Sequence, residues 1–192
     1  MSSLPKGLYT ALITPFKKGE VDFESLEKLL DFQMNASVPG IVLCGTTGES
    51  STLTEEEKYE IAKFAIKFVR GKAKIIIGTG SNNTLHSANL THKISKLNPD
   101  GFLLISPYYN KATNEGLSLH FKEICKNTDL PVILYNVPYR ASLNMSDAII
   151  VRIKEENNNV VGLKDATGDL ARVPSIRSKI SDDFLLFSGE DS

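Results

Sequence analysis

Seven short apolar runs, recurring at intervals of roughly 30 residues as strand–helix units do, limit the fold of this chain more than any other feature. They are LYTALITP (8–15), GIVLCGTTG (40–48), KIIIGTG (74–80), GFLLISPYY (101–109), PVILYNVP (131–138), VVGLKDATG (160–168) and FLLFSGED (184–191). Each is almost continuously apolar and does not alternate. Such runs belong to strands covered on both faces, as in a parallel sheet.

Helical patterns fill the intervals. Thr54 followed by Glu57 is a capping box, with Ile61, Phe64, Ala65 and Phe68 on one face behind it. Leu117, Phe121 and Ile124 repeat the spacing. Ser146 and Asp147 open a helix carrying Ile149, Ile150 and Ile153. After the sixth run, Leu170, Val173 and Ile176 are expected to line another, with Pro174 near its start. The order is that of an α/β protein with right-handed crossovers, in one domain over residues 1–192. A doubly wound open sheet and a (β/α)8 barrel both satisfy it. A barrel closes only with an eighth strand, and residue 192 follows directly on the seventh run.

Bulk properties narrow the partners. Lys and Arg number 22 against 23 Asp and Glu, for a net charge of −1. That balance gives no electrostatic reason to expect nucleic acid or a membrane surface. No apolar run reaches the length of a membrane span, and MSSLPKGLYT lacks the apolar core of a signal peptide. Cys44 and Cys125 stand far apart in apolar segments. They read as buried free thiols and suit a reducing cytoplasm. His86, His92 and His120 fall on helices without metal-ligand spacing and are expected at the surface.

Polar residues collect where the runs end: GTTGE (45–49), GTGSN (78–82), PYYN (107–110), YNVP (135–138), KDAT (164–167) and SGE (188–190). In parallel α/β folds the carboxyl ends of the strands build the active site. Singly, the pieces have plainer readings. GTTGES is a strand-to-helix turn and lacks the spacing and lysine of a P-loop. GTG is a tight turn, Tyr108 and Tyr109 pack a rim, Arg140 is a solvated loop charge, and Lys164 is a snorkelling strand-end lysine. Their coincidence at one end of one sheet raises the functional alternative.

A desolvated Lys164 would present a neutral amine able to form a Schiff base with a keto acid, and so an enamine. Tyr135 on the preceding strand could move protons, with Thr46 and Tyr109 as the available relay. Backbone amides around Thr46, Thr47 and Gly48 could hold one carboxylate, and Arg140 a second.

GTTGE, PYYN, ILYNVP-x-R and GLKDATG, in this order, resemble the motifs of the dihydrodipicolinate synthase family, part of the pyruvate-dependent class I aldolase superfamily that includes N-acetylneuraminate lyase. The similarity runs from LYTALITPF to FSGED. The double threonine and the arginine after YNVP favour the synthase over its sugar-acid relatives. The resemblance implies a (β/α)8 TIM barrel, here of about seven units, without the eighth strand and the C-terminal helical region. It implies Lys164 as the Schiff-base residue, Tyr135 as proton donor and acceptor, and Thr46 and Tyr109 as the relay, Tyr109 reaching in from a neighbouring subunit. Thr47 and Gly189 would bind pyruvate, and Arg140 the carboxylate of aspartate semialdehyde. The reaction would open the diaminopimelate branch of lysine synthesis, with no metal or organic cofactor, in a cytoplasmic homotetramer. Another pyruvate-dependent aldolase acting on a sugar acid, or an inactive truncated remnant, are the rival expectations.

Three positions match the family's lysine-feedback site: Ser50, Asn82 and Tyr108. Glu55, Lys58 and His86 depart from it, so feedback by lysine is expected to be weak or absent. Tyr139 and Ser142 stand where the family usually has a small residue and a glycine, and Tyr139 is expected to disturb Arg140.

Overall fold

The structure, a computed structural model, describes residues 4–190. Residues 1–3 of the amino-terminal segment, and Asp191 at the end of the seventh run, lie outside the described residues. The elements follow the order β1 (Tyr9–Ala11), β2 (Phe16–Lys17), β3 (Glu20–Val21), α1 (Phe23–Asn35), β4 (Gly40–Leu43), α2 (Glu55–Val69), β5 (Lys74–Gly78) and α3 (Thr84–Ser95). Then come β6 (Gly101–Ile105), α4 (Asn114–Cys125), β7 (Val132–Asn136), α5 (Pro138–Ala141), α6 (Asp147–Glu156), β8 (Val160–Asp165), α7 (Arg172–Arg177) and β9 (Leu185–Ser188).

Each of the seven apolar runs contributes one strand to a single sheet, ordered β1-β4-β5-β6-β7-β8-β9 and parallel at every pairing. Strand order equals chain order. A doubly wound sheet would reverse direction at a switch point, so the open-sheet alternative falls away and the fold is a partial (β/α)8 barrel. The sheet curls until side chains from its two edge strands meet: the rings of Tyr9 on β1 and Phe187 on β9 pack edge to face, with centroids 5.1 Å apart.

Two apolar layers follow from this curl. The larger lies between sheet and helices and holds Leu30, Ile41, Ile61, Ile77, Leu90, Phe102, Phe121 and Ile150. The smaller fills the inner face with Val42, Ile76, Leu103, Ile133, Tyr135 and Leu185. The strands therefore do bury both faces, as their unbroken apolar runs require.

The helices form where their caps and stripes place them. Thr54 caps α2 with a complete capping box, worth about 1 kcal/mol against alanine at that position. Ile61 and Ala65 are buried, while Phe64 and Phe68 stack beside them, half-buried. Thr113 and Ser146 cap α4 and α6, and the expected faces of both helices are buried.

Two expectations need correction, and one element is new. Leu170 is 83% exposed and precedes α7, which spans only six residues; of the expected stripe only Ile176 is buried. His120 is buried at 5% exposure, its Nδ1 sharing a hydrogen bond with Thr84 Oγ1 at 2.8 Å across α3 and α4. Burial pushes its pKa down to about 4. A small antiparallel hairpin, β2–β3, was not expected; it turns through Lys18 and Gly19, both at positive φ. Cys44 and Cys125 are free and buried as expected, and burial raises both thiols to about 12. Among the described residues no helix is long and apolar enough to cross a membrane.

Candidate active site

A cavity of about 970 Å3 runs along β1 between the two edge strands and reaches the carboxyl ends of the strands. Its floor is apolar, with Ile76, Leu103 and Ile133 from the inner layer. Thr46, Thr47, Tyr135, Arg140, Lys164 and Gly189 stand around it. Six of the ten residues singled out in the sequence therefore share one concave space.

Each side chain is placed by local backbone chemistry. After β4 the chain turns sharply: Cys44 takes φ 53° and Glu49 φ 59°, and Glu49 N–H donates to Thr46 C=O at 3.0 Å. The turn lifts Thr46 and Thr47 into the cavity. Thr14 Oγ1 ties the turn to the loop after β1 by donating to Gly48 C=O at 2.8 Å. The neighbouring GTG segment is there for space. A Cβ on Gly78 would fall 2.1 Å from the Cys44 carbonyl oxygen, so only glycine lets that carbonyl pass.

Tyr135 and Lys164 are register partners on β7 and β8. Tyr135 is 5% exposed, and the Lys164 ammonium nitrogen lies 4.7 Å from the centre of its ring. Thr46 Oγ1 donates to the Tyr135 phenol oxygen over a long 3.4 Å. The amine thus lies over the ring whose phenol oxygen accepts from the Thr46 hydroxyl. From the far side Gly189 closes on the lysine. A Cβ there would sit 2.8 Å from Lys164 Cε, and the Gly189 N–H donates to Asp165 C=O at 2.8 Å.

Arg140 follows β7 on the short helix α5, and among the described residues its guanidinium makes no hydrogen bond or ion pair. Its planar fork lines the cavity and has the geometry to take a carboxylate by two parallel hydrogen bonds. The adjacent Tyr139 is 85% exposed and lines the same cavity. Ser142 ends α5 at φ 52°, the left-handed conformation for which glycine is the ordinary residue.

Tyr109 is not brought into this space. It is 88% exposed at φ 72° and lines neither the first cavity nor the second. The second cavity, of about 510 Å3, shares Thr46, Tyr135 and Arg140 with the first. Ser50 and Tyr108 line it, joined by Lys58 and His86; Asn82 does not, and its carbonyl accepts from Asn110 at 3.3 Å. Lys58 is only 4% exposed, and burial lowers its pKa from the usual lysine value. His86 Nδ1 faces Glu55 at 2.8 Å, and His92 is exposed. Among the described residues no three His, Cys, Asp or Glu side chains gather as metal ligands would.

A polar network behind the cavity carried no sequence signal. Asn136, fully buried, donates to Asp165 Oδ1 at 2.7 Å and to Asn144 Oδ1 at 2.9 Å, and Arg172 joins the same group. Nothing in YNVP or GLKDATG as strings says that Asn136 and Asp165 touch. Only the pairing of β7 with β8 brings them together.

Comparison with known proteins agrees with this fold. A 4-hydroxy-tetrahydrodipicolinate synthase of Endomicrobium trichonymphae is 44% identical over 186 residues, covering 97% of this chain and 64% of its own length. The crystal structure of dihydrodipicolinate synthase from Aquifex aeolicus superposes with a TM-score of 0.94 at 40% identity, over 96% of this chain and 63% of that one. The dihydrodipicolinate synthase of Thermotoga maritima gives a TM-score of 0.92 at 39% identity, over 97% and 64%. The chain therefore spans just under two thirds of the length of these relatives. With the family model matching residues 4–192, the chain belongs to the dihydrodipicolinate synthetase family.

Proposed function

We propose that the chain carries the Schiff-base half of a 4-hydroxy-tetrahydrodipicolinate synthase, condensing pyruvate with L-aspartate 4-semialdehyde. The observation that carries the reading is the placement of the Lys164 amine 4.7 Å from the ring of Tyr135, at the wall of the strand-end cavity. Lys164 Nζ adds to the keto carbon of pyruvate, and the carbinolamine loses water to give the imine. Tyr135, paired with Thr46, supplies and removes the protons of these steps. Loss of a methyl proton then gives the enamine, whose carbon adds to the aldehyde of the second substrate. The amine of that substrate displaces Lys164 and closes the ring. Overall, the two substrates combine with loss of one water.

Thr47 and Gly189 border the space where the pyruvate carboxylate would lie, and the Arg140 fork suits the carboxylate of the semialdehyde. Exposed Tyr109 fits the part of a residue lent to a neighbouring subunit's relay, in a homo-oligomer. The chemistry uses only side chains of this kind and needs no metal or organic cofactor. The second cavity presents Lys58 and Arg140 and no carboxylate, which disfavours a cationic effector such as lysine.

A substrate panel tests the reading. Pyruvate with aspartate semialdehyde should yield the cyclic product, while a sugar acid such as N-acetylneuraminate should yield no free pyruvate. Cleavage of the sugar acid with no condensation would assign the chain to the other branch of the superfamily.

A further inference from the structure

In a regular strand, residues four apart face the same side. Val160 and Lys164 on β8 do not. Val160 is buried in the layer between sheet and helices, whereas Lys164 lines the inner cavity. The alternation breaks once between them: Val161 packs on the inner layer, and Leu163 belongs to the outer one. The pairing of β7 with β8 jumps at the same place, from Val132↔Val160 to Ile133↔Gly162. One extra residue, a β-bulge, turns the lysine inward. Without it the amine would point into the helices, and Tyr135 would face Leu163.

A bulge persists only if something holds the register beyond it. On one side Gly162 lies against β9, where a Cβ would fall 2.8 Å from the Leu185 carbonyl oxygen. On the other, Asn136 and Asp165 are the register pair directly after Tyr135 and Lys164, on the opposite face. Asn136 uses its whole amide: both N–H groups donate, to Asp165 and Asn144, and its oxygen accepts from Met145 N–H at 3.0 Å. Arg172 locks the group by donating to Asn144 Oδ1 and Met145 C=O, each at 2.7 Å. A one-residue slip of β8 would break the bond between Asn136 and Asp165 and leave one N–H of this buried amide without its acceptor.

We propose that Asn136 and Asp165 are positioning residues that hold β8 in its bulged register and so aim the Lys164 amine at Tyr135 and the cavity. The inference rests on the reading of Lys164 as the Schiff-base residue for its functional meaning, but not for its test.

Two cysteine pairs report the register without any activity. Tyr135→Cys with Lys164→Cys cross-links the bulged register; Tyr135→Cys with Leu163→Cys cross-links the straight one. Each is combined with Asn136→Asp, which keeps the volume and sets carboxylate against carboxylate, and with the exchanged pair Asn136→Asp/Asp165→Asn, which restores one donor to one acceptor. Loss of a buried hydrogen bond to a charged group corresponds to about tenfold or more. Accordingly Asn136→Asp should lower the ratio of 135/164 to 135/163 cross-link about tenfold, and the exchange should restore it. In chains with Tyr135 and Lys164 intact, the rate of borohydride-trapped adduct at saturating pyruvate should fall similarly and recover in the exchange, with half-saturating pyruvate unchanged. If Asn136→Asp does not fold, Asn136→Ser, which shortens the link, gives the same comparison. A ratio of the two cross-links equal to the parent's in these variants overturns the proposal. A parent chain that forms no pyruvate adduct overturns the function reading instead, and the cross-links still decide the register.

Discussion

Acid should weaken this fold well above the range where its carboxylates titrate, and His120 is the reason. Its imidazole is 5% exposed, bonded through Nδ1 to Thr84 and set edge-on to Phe121, with Nε2 lacking a partner among the described residues. Burial holds its pKa near 4, against about 6.5 in an unfolded chain. A base whose folded pKa is depressed is protonated more readily in the unfolded state. Stability from neutral His120 is therefore complete above pH 6.5 and is lost as pH falls toward 4. Linkage between those two values gives a loss of about 2 kcal/mol on going from pH 7 to pH 5, and about 3 kcal/mol in full. Asp147 and Glu156, whose pKa values are lowered by hydrogen bonds from Ser175 and Ser118 first of all, lose their contribution at more acid pH. Urea unfolding at pH 7 and pH 5, for the parent and for His120→Gln, isolates the imidazole. The parent should lose about 2 kcal/mol more than the variant. Equal losses would refute the account of a buried neutral histidine.

Other consequences follow from single side chains. Arg140→Met should leave the pyruvate adduct intact and raise the KM for aspartate semialdehyde about tenfold or more, the worth of a charged hydrogen-bonded pair; steady-state kinetics with each substrate varied would show it. Ser142→Gly should raise stability by about 0.5–1 kcal/mol, because left-handed strain of about 1–2 kcal/mol outweighs the extra freedom glycine gives the unfolded chain; thermal unfolding reads the difference. Lysine inhibition should be weak or absent, since the described residues lining the second cavity include Lys58 and Arg140 and no carboxylate. Calorimetric titration checks this, and tight binding would contradict it.

The strands were legible because both their faces are buried, so each appears as an apolar run. The same property hid the bulge in β8. In a run where Val160 and Val161 are both apolar, no alternation survives to tell which face the next residue takes. A straight count from Val160 sends Lys164 outward, and only the pairing with β7 reverses it. Thr46, Thr47, Arg140 and Gly189 were legible by motif, and they converge because the sheet curls. Asn136, Asp165 and Arg172 were not, since contacts across neighbouring strands and a following helix leave no local spacing. His120 was misread for a related reason. Its own helix is amphipathic, but α3 packs against α4 and covers the flank on which the imidazole sits. The stripe expected through Leu170 failed because the helix starts only at Arg172.

The central claim is that Lys164 is the nucleophile, and reduction of the complex with pyruvate tests it most directly. The chain is incubated with pyruvate, treated with borohydride, digested and mapped by mass spectrometry. One reduced pyruvate on the peptide containing Lys164, absent from Lys164→Ala, is the result the structure predicts. A folded chain that acquires no adduct, or one that carries it on another lysine and keeps it in Lys164→Ala, would contradict the account.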